Sequence, residues 1–134
     1  MKFDHVAIEV DDLDEQVRQL VDHCGMRLLR MGSRFSTGQR IAMLGDGTGT
    51  KLELIETDVT SGDDGPTFAH LAFRVDDASG QVSKLNAAGW STKRDSHRLE
   101  SAKAETALLR TGTGMDVQVI SYDHDSPDDV RWDV

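Results

Sequence analysis

The chain has 134 residues and a net charge of −9, with 24 acidic side chains against 15 basic ones and a single cysteine, Cys24. The acidic balance, with no offsetting basic stripe, argues against a nucleic-acid partner or an anionic membrane surface. The lone cysteine excludes an internal disulfide, charge reaches the fourth residue, and no apolar run approaches the roughly 20 residues of a membrane span, so the expectation is a cytoplasmic protein.

In chain order, "HVAIEV" from His5 reads as a strand of alternating side chains, and Asp12 is placed to cap the helix that follows over 13–23. Val17, Leu20 and Val21 give that helix one apolar face, and Gly25 stops it. Three strands follow at about 26–33, 39–45 and 50–56, the last two joined across Asp46-Gly47. "DVTSGDDGP" (58–66) reads as a linker. "HLAFRV" from His70 opens the same series again, with a helix over 78–88 carrying Val82 and Leu85, a stop at Gly89, and strands near 91–95, 104–111 and 115–122. The stretch "SHRLESAKAE" (96–105) is expected to be a polar connection, either over a cavity mouth or solvated, and 124–134 a solvated acidic tail.

The two series are a duplication. An offset of 65 carries Phe3 onto Phe68, His5 onto His70, Ala7 onto Ala72 and Asp11-Asp12 onto Asp76-Asp77. The match slips by one residue between Gly25 and Gly89 and then recovers, with Leu44 on Leu109 and Gly47 on Gly112. Recovery of one register after a gap is not expected by chance. Each half is therefore β-α-β-β-β, with module 1 at about 1–57 and module 2 at about 67–123.

Strand alternation assigns the faces. Val6, Ile8 and Val10 share one face, with His5, Ala7 and Glu9 on the other; Leu71, Phe73 and Val75 likewise oppose His70, Ala72 and Arg74. In "KLELIE" and "DVQVIS" the same logic sets Glu53 and Gln118 on the polar face, and the offset of 65 makes them equivalent too. If the two sheets curl toward each other, those polar faces line a common cavity. His5, Glu53, His70 and Gln118 then gather about one pseudo-two-fold axis as an N/O set suited to a divalent transition metal. Glu9 and Arg74, equivalent positions of opposite charge, are expected to pair or to meet substrate, and Glu105 and Glu100 are further candidates near the site. His23, His97 and His124 have no comparable partners and are expected at the surface, while Cys24 is expected to be structural.

On these motifs the chain resembles the vicinal oxygen chelate superfamily, which includes glyoxalase I, methylmalonyl-CoA epimerase, extradiol dioxygenases and the fosfomycin- and bleomycin-resistance proteins. "DHVAIEV" and "AHLAFRVDD" resemble its two His-bearing first strands, and "KLELIE" and "DVQVIS" its ligand-bearing last strands. The resemblance implies an α+β fold of two tandem βαβββ modules, forming an open barrel-like cup with the helices outside. It also implies metal ligands at His5, Glu53, His70 and position 118, a divalent ion such as Ni, Co, Zn, Mn or Fe, a small-molecule substrate and a homodimer. Position 118 departs from the pattern, being Gln where Glu is usual in glyoxalase I-like and dioxygenase members. The helix end "QLVDHCGM" also lacks the aromatic pair common before the Leu-Gly of many members.

Three function classes fit. The first is a metal-dependent lyase or isomerase that stabilises an enediolate or enolate, with Glu53 as the proton-moving base. The second is an Fe(II) extradiol-type dioxygenase using His5, His70 and Glu53, for which the chain is short. The third is a non-catalytic binding or resistance protein, whose acidic surface would suit a basic ligand.

Overall fold

A computed structural model describes residues 1–34, 37–57 and 65–130. Its elements run β1 (Lys2–Val10), α1 (Leu13–Cys24), β2 (Arg27–Ser33), β3 (Arg40–Gly45), β4 (Lys51–Glu56), β5 (Thr67–Arg74), α2 (Ala78–Ala87), β6 (Ser91–Leu99), a 3₁₀ turn (Glu100–Ala102), β7 (Ala104–Arg110) and β8 (Asp116–Tyr122). This is an α+β chain in which β-α-β-β-β occurs twice. The residues group into two compact units, one of Val6–Ala69 with Val130–Val134, the other of Met1–His5 with His70–Asp129. The unit boundaries thus pass through β1 and β5, where the sequence divides the modules at the 58–66 linker. Residues 58–64 of that linker lie outside the described residues.

In the N-terminal unit the strand order is β2-β3-β4-β1. The β2–β3–β4 run is antiparallel, with Arg30 opposite Met43 and Met43 opposite Glu53. Asp12 caps α1 as its sequence position predicts, accepting a hydrogen bond from the Glu15 amide at 3.2 Å. Gly25 closes the helix at φ 70°, a left-handed conformation that glycine adopts without strain. Leu13, Val10, Ala42, Leu44 and Leu54 are buried together, with Val17 and Leu20 packed against them. The apolar face of α1 therefore covers one side of the strands. A smaller cluster of Ala7, Ile41 and Ile55 fills the opposite side. Val21, expected on the apolar stripe, is exposed, and Cys24 is exposed at the helix end rather than packed.

The C-terminal unit repeats the plan, with strand order β5-β8-β7-β6. β5 and β8 are parallel, Ala72 facing Gln118, and β7 and β8 are antiparallel, Leu108 facing Gln118 and Thr106 facing Ile120. Leu85 of α2 packs with Val75, Ala107, Leu109 and Val119, and Val82 and Trp90 lie against that cluster. β6 is longer than the sequence predicts. Residues 96–99, read as part of a polar connection, pair with β7 through His97 opposite Thr106 and Leu99 opposite Ala104. The strand is at the sheet edge and mostly exposed, so it shows no apolar alternation to reveal it.

The segment after β8 differs from its expectation as a solvated acidic tail. The Ser126 hydroxyl donates to the Ala102 carbonyl, the Asp128 amide donates to Ser126 Oγ at 3.1 Å, and Asp128 is fully buried. An acid count does not separate a hydrated carboxylate from one held by the fold. Residues 131–134 of the tail lie outside the described residues.

Candidate functional site

β1 and β5 each deliver one imidazole. His5 is fully buried and His70 is 5 % exposed, and their ring centroids lie 5.9 Å apart at 69°. The His5 ring is held from behind: its Nδ1 is 2.6 Å from Asp4 Oδ2. A carboxylate only accepts, so Nδ1 is the donor here; in the neutral ring this leaves the lone pair on Nε2, the arrangement of a metal-binding histidine with a carboxylate behind it.

Asp4 is itself fixed by a buried network. The Tyr122 hydroxyl donates to Asp4 Oδ2 at 2.5 Å, and Arg74 Nη2 approaches Asp4 Oδ1 at 3.4 Å. Arg74 also pairs with Asp129 at 2.7 Å and lies over the Tyr122 ring, 5.0 Å from its centroid. The sequence sets Arg74 against Glu9 or a substrate anion. In its own unit the guanidinium engages Asp4 and Asp129, which positions Asp4 under His5.

Gln118 follows from strand register. Its partner on β5, Ala72, is two residues beyond His70, so His70, Ala72 and Gln118 lie on one face. Gln118 Nε2 donates to Thr106 Oγ1 at 2.7 Å, and the Thr106 hydroxyl donates to the Val119 carbonyl at 3.1 Å. Gln118 Oε1 is buried and has no hydrogen-bond partner among the described residues. A buried amide oxygen without a donor is unfavourable by about 1–3 kcal/mol unless something else binds it. A divalent cation suits such an oxygen, so the residues present fit the metal that the resemblance implies.

In the N-terminal unit Glu53 is 5 % exposed on β4, with Arg30 Nη2 at 3.9 Å from its Oε2 and Arg30 also buried. A buried carboxylate without a cation nearby would be strongly destabilised, and Arg30 supplies that charge. Glu9 is half-buried on β1. Glu105 does not share the face of Gln118: it alternates with Thr106, falls on the side of Ala107 and Leu109, and is exposed. Glu100 is exposed in the 3₁₀ turn. An open pocket of about 440 Å³ in the C-terminal unit, lined in part by Lys2, Arg74, Asp77 and Lys84, contains none of the expected ligands.

Sequence reasoning did not single out Asp4, Thr106, Tyr122, Asp129 or Arg30. Asp4 had a signal, since it adjoins His5 while the equivalent position of the second module is Ala69. The others act through contacts across strands that no local pattern marks.

The chain belongs to the glyoxalase/bleomycin resistance protein/dioxygenase superfamily, whose family model matches residues 4–104, more than half of its length. Among curated relatives it is 26 % identical to a probable lactoylglutathione lyase of Vibrio parahaemolyticus over 120 residues, covering 87 % of each chain. It is 27 % identical to the lactoylglutathione lyase of Haemophilus influenzae over 124 residues, covering 90 % of this chain and 92 % of the relative. Its fold is shared with methylmalonyl-CoA epimerase from Mycobacterium tuberculosis, at a TM-score of 0.77 and 24 % identity, covering 91 % and 88 % of the two chains. It is shared equally with a Streptomyces coelicolor methylmalonyl-CoA epimerase variant in complex with 2-nitronate-propionyl-CoA, at a TM-score of 0.76 and 21 % identity, covering 91 % and 97 %. No helix among the described residues is long and apolar enough to cross a membrane.

Proposed function

We propose that the protein is a divalent-metal-dependent lyase or isomerase of the glyoxalase or epimerase kind, moving a proton at a carbon beside a carbonyl of a small-molecule substrate. One observation carries the reading: two buried imidazoles in contact, one with its Nδ1 committed to Asp4, on the strand face that also holds the partnerless buried Gln118 oxygen. The duplication makes Glu53, itself buried on β4, the equivalent of Gln118, and on that equivalence it is read with His5, His70 and Gln118 as a set of two nitrogens and two oxygens. That donor set suits Ni, Co, Zn, Mn or Fe. The bound ion would supply Lewis acidity toward adjacent substrate oxygens and so acidify the neighbouring C–H.

The proton chemistry falls to Glu53. The neutral amide of Gln118 cannot take up a proton, and the two imidazoles are committed as ligands, so Glu53 is the member of the set that takes the proton and returns it. A single base serves a reaction that removes and returns a proton on one face, whereas epimerisation needs a second base outside these four residues. This favours the lyase reading, in keeping with relatives named lactoylglutathione lyase. The same reading has the protein acting in the cytoplasm as a homodimer.

The test is turnover of the hemithioacetal of methylglyoxal and glutathione, and separately of methylmalonyl-CoA, by metal-free protein reloaded with each candidate ion. Activity with the hemithioacetal that returns with one ion and disappears in Glu53→Gln is expected. Protein that takes up no ion and turns over neither substrate would contradict the proposal.

A further inference from the structure

The duplication that makes Glu53 and Gln118 equivalent also exposes a difference beside them. Thr106 faces Ile120 across β7 and β8, and Ile41 faces Ile55 across β3 and β4. The offset of 65 carries Ile41 onto Thr106 and Ile55 onto Ile120, so one position holds an apolar side chain in the first module and a hydroxyl in the second. Both side chains are buried, at 3 % and 4 % exposure. The fold itself therefore does not demand a hydroxyl there.

The ligand beside it supplies the reason. A carboxylate presents an oxygen whichever way it turns. An amide has two unlike ends, and one of them is a donor that a cation repels. Gln118 must therefore be held one way round. The Thr106 hydroxyl has one proton, and it goes to the Val119 carbonyl at 3.1 Å. Toward Gln118 the hydroxyl can only accept, so it selects the Nε2 end at 2.7 Å and turns Oε1 away, into the buried position where no donor among the described residues meets it. We propose that Thr106 is a positioning residue that fixes the Gln118 amide with its carbonyl oxygen toward the metal position, and that its hydroxyl accompanies the replacement of a carboxylate by an amide at 118. The proposal rests on the reading of Gln118 as a ligand.

The experiment measures the dissociation constant of metal-free protein for Co(II) by competition with a chromophoric chelator, together with the visible absorption of the Co(II) form. Thr106→Val keeps size and β-branching but removes the acceptor, and should weaken Co(II) binding about 10- to 100-fold, as loss of an outer-shell partner commonly does. Thr106→Ser should restore it. In a Gln118→Glu background the same Thr106→Val change should leave affinity nearly unaltered, because a carboxylate needs no orientation. A merely structural role for Thr106 predicts the same loss in both backgrounds and would overturn the proposal. So would wild-type affinity and spectrum in Thr106→Val while Gln118→Ala binds weakly. Wild-type affinity in Gln118→Ala would instead remove the ligand reading itself, and the proposal with it.

Discussion

The two modules share a plan but hold their equivalent strand-end groups in different ways. In the first, Glu53 is a buried carboxylate with Arg30 at 3.9 Å and the apolar Ile41 on the neighbouring strand. In the second, Gln118 is an amide tied by Thr106. Register extends the comparison: Arg30 faces Met43 opposite Glu53, and Arg94 faces Leu108 opposite Gln118, yet Arg30 is buried and Arg94 exposed. A carboxylate is stabilised by charge, and a neutral amide by direction. The first histidine is treated likewise, since His5 has Asp4 behind it and the position equivalent to Asp4 is Ala69. Duplication supplied two copies of one strand end, and the side chains around each copy fit the group it now carries.

Making the copies alike is the strongest way to break this comparison. Glu53→Gln leaves two amides and no base, and should lower turnover by about 10²- to 10⁴-fold, whereas Gln118→Glu should keep turnover. Steady-state rates of the two metal-loaded variants decide it, and the opposite ranking would reverse the roles assigned to the modules. Next in size are the equivalent core leucines. Leu44 and Leu109 are both fully buried, each beneath the helix of its own module. Leu44→Ala and Leu109→Ala should each cost about 2–5 kcal/mol in urea unfolding. A large loss at one and almost none at the other would mean that the duplicated cores are not equivalent in energy.

Asp4→Ala should weaken Co(II) binding about 10- to 100-fold by freeing the His5 ring to turn, while Ala69→Asp, its mirror in the second module, should bring no comparable gain. Titration calorimetry on metal-free protein reads both. The smallest effect lies at the helix starts. Hydrogen bonds from Arg18 and then Gln19 lower the Glu15 carboxyl from an ordinary 4.5 to about 2, and the equivalent position in α2 is Gly80. Because the folded value is depressed, the stabilisation of α1 is present above about pH 4.5 and is lost as pH falls toward 2, whereas at the start of α2 the lowered carboxyl is that of Asp77, held by the Gly80 amide and then the Ser79 hydroxyl. Amide exchange across that range should show the first turn of α1 loosening relative to its pH 6 behaviour, and a Glu15 titration midpoint near 4.5 by NMR would contradict it.

What the sequence made legible followed from its repetition. His5, His70, Glu53 and Gln118 could be singled out as candidates because each has a partner in register, and both helices and their stops were marked by Asp12, Asp77, Gly25 and Gly89. What it hid were pairings between distant residues. Tyr122 reaches Asp4, and Arg74 bridges Asp4 and Asp129, through side chains far apart in the chain. The end of β6 was hidden because an exposed edge strand has no apolar side chains to alternate. Thr106 was readable in principle, as the one polar departure from Ile41, but its meaning needed the 2.7 Å contact to Gln118.

The central claim is that the duplicated strand ends make one metal site. Its most direct test is the metal content of the purified chain, measured by mass spectrometry alongside a Co(II) titration of metal-free protein, for the wild type and for His70→Ala. One ion per chain in the wild type, lost in His70→Ala while the thermal unfolding curve stays cooperative, is the predicted result. A wild-type protein that takes up no divalent ion, or a His70→Ala protein that binds it as tightly as the wild type, would contradict the account.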